Sequence, residues 1–268
     1  MTAGDGRGEA GLGAEELGAG VAEAGVRRSL GIYYGDAARD AAMDRLHARF
    51  VRAGDLAFDI GAHVGDRIAS LRRLGCRVVA VEPQPALVAT LARLYGADPQ
   101  VAIEPVALGA AEGHVDLHVN LANPTISTAS SEFIAAAATA PGWEGQVWSE
   151  RIAVPLTTLD WLIARHGAPA FVKIDVEGFE AEVLAGLTRP VPAVSFEFTT
   201  IQRPVAHRAL DRLAALGYDG FEACLGESQR FVHDAWIPLE ALRAWLDALP
   251  VEANSGDIYA ILPGSHLR

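Results

Sequence analysis

The stretch 56–65, Leu-Ala-Phe-Asp-Ile-Gly-Ala-His-Val-Gly, narrows the fold more than any other part of the chain. Apolar Leu56, Ala57, Phe58 and Ile60 suit a short strand covered on both faces, as in a parallel sheet. Asp59 puts an acid near the carboxyl end of that strand. Gly61 and Gly65 permit a tight turn and a close approach of backbone to ligand. Ile68, Ala69, Leu71 and Leu74 follow at helical spacing, so the unit reads strand, glycine turn, helix. A second apolar run, 78–81, ends at Glu82, 23 residues beyond Asp59. An acid about 20 residues past a glycine turn is where a nucleotide-binding α/β unit holds a ribose hydroxyl pair.

The alternation continues with a helix from Pro85 to Tyr95 and a strand over 101–106, which predicts a parallel sheet with right-handed crossovers. Before it, Asp36 is placed to cap a helix running to about Val51. After Gly109 the pattern changes. Residues 114–119 have the two-residue period of a half-exposed strand, and 151–156 reads as another. Between them, an insertion at 121–149 holds Pro, Gly, several Ser and Thr and two tryptophans, and reads as an irregular functional loop. Thr157-Thr158 opens a short helix, and strands are expected over 170–176, 193–198, 218–224 and 258–262. Helices are expected over 180–187, 204–216 and 239–249.

Residues 1–29 are rich in Gly, Ala and Glu with few large apolar side chains, so composition predicts a flexible leader with a transient helix over 15–26. Residues 30–268 then form a single domain. The 34 acidic and 22 basic residues leave a formal charge of −12, a poor match to a nucleic-acid backbone or an anionic membrane surface. No apolar run has the ~20 residues of a membrane-spanning helix, and no basic start with an apolar core marks a secretory signal. Cys76 and Cys224 lack metal-ligand spacing and read as reduced thiols, which suits a cytoplasmic protein.

Asp59, Glu82, Asp175 and Glu197 all fall near the carboxyl ends of expected strands, where an open α/β sheet binds its ligand. One such acid is often a solvated or capping group, but four on one rim suggest a site. Dinucleotide folds carry G-x-G-x-x-G, whereas here the order is Asp59-x-Gly61-x-x-x-Gly65. An acid before the turn repels a pyrophosphate and suits an ammonium or sulfonium group. S-adenosylmethionine has both cations, a ribose for Glu82 and no phosphate. A purely structural turn and a nicotinamide site are the competing readings.

The segments Asp59-Ile60-Gly61-Ala62-His63-Val64-Gly65, Thr157-Thr158-Leu159-Asp160 and Val172-Lys173-Ile174-Asp175-Val176-Glu177-Gly178-Phe179-Glu180, in this order, resemble the FkbM family of S-adenosylmethionine-dependent methyltransferases. The resemblance implies an α/β fold with a Rossmann-like seven-stranded methyltransferase sheet, mostly parallel with an antiparallel last strand, and helices on both faces. It commonly implies O-methylation of a small-molecule or carbohydrate hydroxyl, without fixing the acceptor. Asp59, Gly61, Ala62, His63 and Gly65 would then meet the methionine part, Glu82 and Pro83 the ribose, and Ala107-Leu108 the adenine. His63 departs from the family's usual asparagine, which bears on any polar contact from that side chain.

Lys173, Asp175 and Glu177 fall at the end of the fourth expected strand, on one side if the strand runs that far. In the catalytic reading, Asp175 orients or deprotonates the acceptor hydroxyl and Lys173 stabilises the oxyanion. In the structural reading, Lys173 and the acids merely shape the loop. A carboxylate pair is also a start on Mg2+, but no third ligand is identifiable and a metal is the less favoured reading. Ser127, Trp143 and Glu197 are the candidates for the acceptor side, and Tyr33 and Tyr34 either close the pocket or pack in the core. A nicotinamide-dependent oxidoreductase and a non-catalytic methyltransferase-like binding domain stand as the alternatives in function.

Overall fold

The computed structural model describes residues 14–264. Its centre is a sheet of seven strands, taken from one edge to the other as β3 (Val101–Glu104), β2 (Arg77–Val81), β1 (Leu56–Ile60), β7 (Phe171–Ile174), β8 (Ala193–Thr199), β10 (Ser255–Ile261) and β9 (Gly220–Leu225). The first five are mutually parallel, and β10 runs antiparallel to both of its neighbours. The expected seven-stranded α/β architecture is present.

Strand alternation divides the core into two layers. Phe58, Ile60, Val79 and Val81 face one side, where α6 (Leu159–His166), α7 (Glu180–Ala185), α8 (Arg203–Ala215) and α9 (Leu239–Ala248) supply Leu162, Leu184, Leu210 and Leu246. Ala57, Val78 and Ala80 face the other, against Leu46 of α2 (Ala37–His47), Ile68 and Leu71 of α3 (Asp66–Arg73) and Leu91 of α4 (Pro85–Tyr95). Both faces of the parallel strands are therefore dry, which is why their sequences are continuous apolar runs rather than alternating ones. Helix starts follow local chemistry. The Asp36 carboxylate accepts the N–H groups of Ala38 and Arg39, Pro85 opens α4, and the Thr158 hydroxyl accepts Trp161 N–H.

A second sheet of three strands lies in the crossover between β3 and β7: β4 (Ala107–Leu108), β6 (Glu150–Thr157) and β5 (Gly113–Val119). The insertion expected to be irregular carries a 3-10 turn, Pro124–Ile126, and a short helix, α5 (Ser131–Ala137), whose Phe133 is fully buried. Residues 14–29, assigned by composition to a leader, lie in α1 (Ala14–Tyr33), while residues 1–13 of that leader fall outside the described residues. Val26 of α1 is buried with Val64 and Leu87, so a few apolar side chains dock the helix that composition alone left unanchored. The strand expected over 170–176 stops at Ile174, and Glu177 has a left-handed backbone (φ 55°). Simple alternation therefore does not carry Lys173, Asp175 and Glu177 to one side.

Candidate active site

Strand order reverses between β1 and β7, because the chain leaves β1 outward to β2 and β3 and returns on the other side at β7. Ligands of open α/β sheets lie outside the strand ends at such a point. Here the Asp175 N–H donates to the Ile60 carbonyl (2.8 Å), and Gly61, at φ 82°, lets the turn pass directly against the end of β7.

Four N–H groups of that turn are spent within the protein. Gly61 and Ala62 both donate to the Val81 carbonyl (2.9 and 3.0 Å), Gly65 donates to Ala62 (2.8 Å), and His63 donates to Glu82 Oε2 (2.9 Å). Glu82 Oε1 accepts the Gln84 N–H (2.9 Å). Burial pushes the Glu82 carboxyl up to about 7, against the pull of those two N–H groups. Gly65, the left-handed residue before α3, has its carbonyl bonded by the Tyr95 hydroxyl (2.7 Å), and the Tyr34 hydroxyl donates to Val64 (2.9 Å).

A cavity opens above this turn. Gly61, His63, Glu82, Pro83, Ala107, Leu108, Ser127, Asp175, Glu177 and Glu197 form part of its wall. Tyr33 also lines it and meets the His63 ring edge-on (centroids 5.4 Å apart), whereas Tyr34 only braces the turn. Burial lowers the His63 pKa to about 4, leaving a neutral ring whose Nε2 lies 3.4 Å from the Thr125 hydroxyl. The insertion is tied to the site by polar contacts. Ser127 Oγ donates to the Gln84 side chain (3.0 Å), Gln84 Nε2 donates to Pro124 (3.1 Å), and Thr128 Oγ1 donates to the Glu177 carbonyl (2.6 Å).

Five nominated residues are not on the wall: Asp59, Ala62, Gly65, Lys173 and Trp143. Trp143 packs edge-on against Phe133 (5.2 Å), anchoring α5 instead of facing the cavity. Asp59 is fully buried beneath the turn, and neither of its oxygens has a hydrogen-bond partner. Burial raises its pKa to about 7, with Arg67 opposing. Asp59 and Lys173 are cross-strand neighbours on the α3 face of the sheet.

Lys173 lies below the floor of the cavity, its Nζ 2.7 Å from Asp257 Oδ1 and 3.2 Å from Asp175 Oδ2. Arg67 reaches the same Asp175 oxygen from α3 (3.1 Å) and also approaches Asp66 and Glu227 (3.7 Å each). Burial alone would raise Asp175, but Lys173 and Arg67 outweigh it and bring its pKa down to about 2. Glu177 and Glu197 go the other way: burial and the neighbouring acids hold both well above the usual carboxylate range. Around Lys173 and Arg67 the cavity wall thus pairs one firmly ionised carboxylate, Asp175, with two, Glu177 and Glu197, whose ionised forms are disfavoured.

Sequence reasoning missed Arg67, Glu227 and Asp257. Arg67 had a signal, since the first turn of a helix after a glycine turn sits beside the strand ends. Asp257 had none, because only the pairing of β10 with β8, which sets Asp257 opposite Glu197, brings it there.

Residues 59–219 match the sequence model of the Methyltransferase FkbM domain. The chain belongs to the FkbM methyltransferase family. That match covers the turn, Glu82, the insertion and the Lys173–Glu177 block, but stops short of Glu227 and Asp257. No curated protein sequence matches significantly. Among solved structures, an O-methyltransferase from Bacillus cereus in complex with SAH aligns over 95% of this chain and 94% of its own, at 9% identity and TM-score 0.45. A TehB-like SAM-dependent methyltransferase from Corynebacterium glutamicum aligns over 92% and 98%, at 11% identity and TM-score 0.45. A precorrin-6y C5,15-methyltransferase from Geobacter metallireducens aligns over 84% and 87%, at 12% identity and TM-score 0.40. Identities and scores this low bear on neither substrate nor residue roles.

Proposed function

We propose that this FkbM-family protein is an S-adenosylmethionine-dependent O-methyltransferase acting on a hydroxyl of a small molecule or carbohydrate. The observation that carries the reading is the glycine turn, whose N–H groups at 61, 62, 63 and 65 are all consumed by protein acceptors. Pyrophosphate binding at a helix N-terminus depends on free N–H groups, and here Asp66 adds a negative charge at the start of α3. A nicotinamide dinucleotide is therefore disfavoured.

The residues fit the methyl donor instead. The Glu82 oxygens each accept one N–H and retain a lone pair for a ribose hydroxyl. Ala107, Leu108 and Val81 offer an apolar slot of the kind a purine takes. The acids on the opposite wall favour a cationic ligand. When bound, S-adenosylmethionine supplies an electrophilic methyl group on a sulfonium that departs as a neutral thioether.

The protein's part is orientation, exclusion of water and handling of one proton. Asp175, ionised and locked by Lys173 and Arg67, is suited to accept a hydrogen bond from the acceptor hydroxyl and fix its direction. It is too acidic to be an effective base. Glu177 and Glu197 lie on the same wall and are the candidates to receive the hydroxyl proton in their ionised forms, which burial and the neighbouring acids make more basic than ordinary carboxylates. Lys173 acts as a positioning residue beneath Asp175, not as an oxyanion contact.

Among the described residues no helix is long and apolar enough to cross a membrane. Two buried free thiols support a cytoplasmic location, and the net charge of −12 disfavours nucleic-acid partners. The test is methyl transfer from labelled S-adenosylmethionine to a panel of hydroxylated metabolites and sugars. An O-methylated product supports the reading. Donor binding without transfer to any member favours the non-catalytic alternative.

A further inference from the structure

Beyond the donor pocket, Asp175, Glu177 and Glu197 each bring one carboxylate oxygen to within 4.8 Å of the others. Buried carboxylates this close repel one another and lose hydration, so each is either balanced by a cation or holds a proton. The protein's cations balance only one of them. Lys173 and Arg67 both bind Asp175, and both on Oδ2, at 3.2 and 3.1 Å. Their remaining ion pairs are with Asp257, Asp66 and Glu227. Among the described residues, neither Glu177 nor Glu197 takes part in any ion pair.

A separate observation concerns hydrogen bonding. The Glu177 side chain is aimed into the cavity while the residue is only 7% exposed, and its carboxylate has no hydrogen-bond partner among the described residues. Glu197 shares a side-chain hydrogen bond with Asp175, but its Oε2 is buried and unpartnered. Buried carboxylates without donors are rare unless water, an ion or a ligand completes them.

We propose that Asp175, Glu177 and Glu197 form a binding site for a hard divalent cation of the Mg2+, Mn2+ or Ca2+ class. Glu177 and Glu197, which no protein cation balances, would release their protons on binding and supply the charge that such an ion neutralises, while Asp175, already balanced, lends one oxygen. An all-oxygen donor set selects hard cations over thiophilic metals. Donor oxygens that all lie within 4.8 Å of one another can reach a single ion at metal–oxygen bonds of about 2.1–2.5 Å. Its role in catalysis rests on the methyltransferase reading: it would coordinate the acceptor hydroxyl and lower that group's pKa. The existence of the site does not rest on that reading.

The experiment is a Mn2+ titration of the full-length, chelator-treated protein without any methyl donor, followed by electron paramagnetic resonance of the free ion. One Mn2+ bound per chain is expected, displaced by excess Mg2+ or Ca2+. Glu177→Gln and Glu197→Gln should each weaken binding roughly tenfold or more, while exposed Glu240→Gln leaves it unchanged. Thermal melts of the wild-type protein with and without Mg2+ give a readout independent of variant folding, and a rise with Mg2+ is expected. No sequestered Mn2+ at millimolar concentration, or equal binding by the folded glutamine variants, overturns the proposal. Donor affinity measured separately in metal-free buffer distinguishes this failure from failure of the methyltransferase reading.

Discussion

A Cβ atom built on Gly61 would lie 1.8 Å from the main-chain oxygen of Asp175. The glycine at the end of β1 and the acid at the end of β7 are thus fixed against each other by contact, and each depends on the other's geometry. Gly61→Ala should destabilise the fold by at least about 2 kcal/mol, from left-handed strain plus the clash. Denaturant unfolding measures it. Gly31→Ala provides the contrast: it is exposed in α1 with nothing within 4 Å of its built Cβ. That change should gain about 0.5–1 kcal/mol.

Lys173 holds Asp175 and Asp257 together from below. Lys173→Met removes the cation and leaves two buried carboxylates facing each other, at a cost of about 3–5 kcal/mol. Adding Asp257→Asn should recover part of the loss. A double-mutant cycle by chemical denaturation at neutral pH checks the coupling, and simple additivity would argue against a shared ion pair.

Asp59 gives stability a pH dependence of known sign. Its pKa in the fold is about 7, raised by burial from an ordinary 3.8. The folded state therefore holds a proton that the unfolded state releases. The stability linked to that proton is fully present below about pH 4 and is lost as pH rises through 7. The full span is on the order of 4 kcal/mol. Asp59→Asn should flatten the curve between pH 4 and 8 and make the variant the more stable protein at pH 8. Unfolding free energies at several pH values test this, and parallel curves would contradict it.

His63 and Glu82 should behave differently despite their bond. The donor in that bond is the His63 main chain, which any side chain leaves in place. Asparagine also tolerates the positive φ of 49°. His63→Asn should leave donor affinity within about threefold, a change of roughly 0.7 kcal/mol. Glu82→Ala removes the acceptor for His63 and Gln84 as well as for the ribose, and should weaken the donor by about tenfold or more. Calorimetric titration of both variants separates the two.

The strand–turn–helix unit and Glu82 were legible because β1 and β2 are short and apolar throughout, and the glycines mark the only turn their spacing allows. The part of the cavity wall beside that unit, from Gly61 to Pro83, followed from local sequence order. The charged floor did not. Lys173 was placed on the acceptor by extending β7 past Ile174, whereas the strand ends there and the side chain points below the cavity, to Asp257. Trp143 looked like a stacking platform because aromatic faces in loops resemble binding surfaces, yet its partner is the buried Phe133. The role of α1 was hidden for a thermodynamic reason. Its anchoring uses Val26 and the Tyr33–Tyr34 end, too few apolar groups to register in composition. Long-range pairing decides such cases, and a single sequence carries no direct record of it.

The most direct test of the account is a calorimetric titration of the wild-type protein with S-adenosylmethionine and, in parallel, with NADH. The account predicts saturable one-to-one binding of the sulfonium donor and no heat from the dinucleotide. Binding of NADH, with S-adenosylmethionine ignored at millimolar concentration, would contradict it.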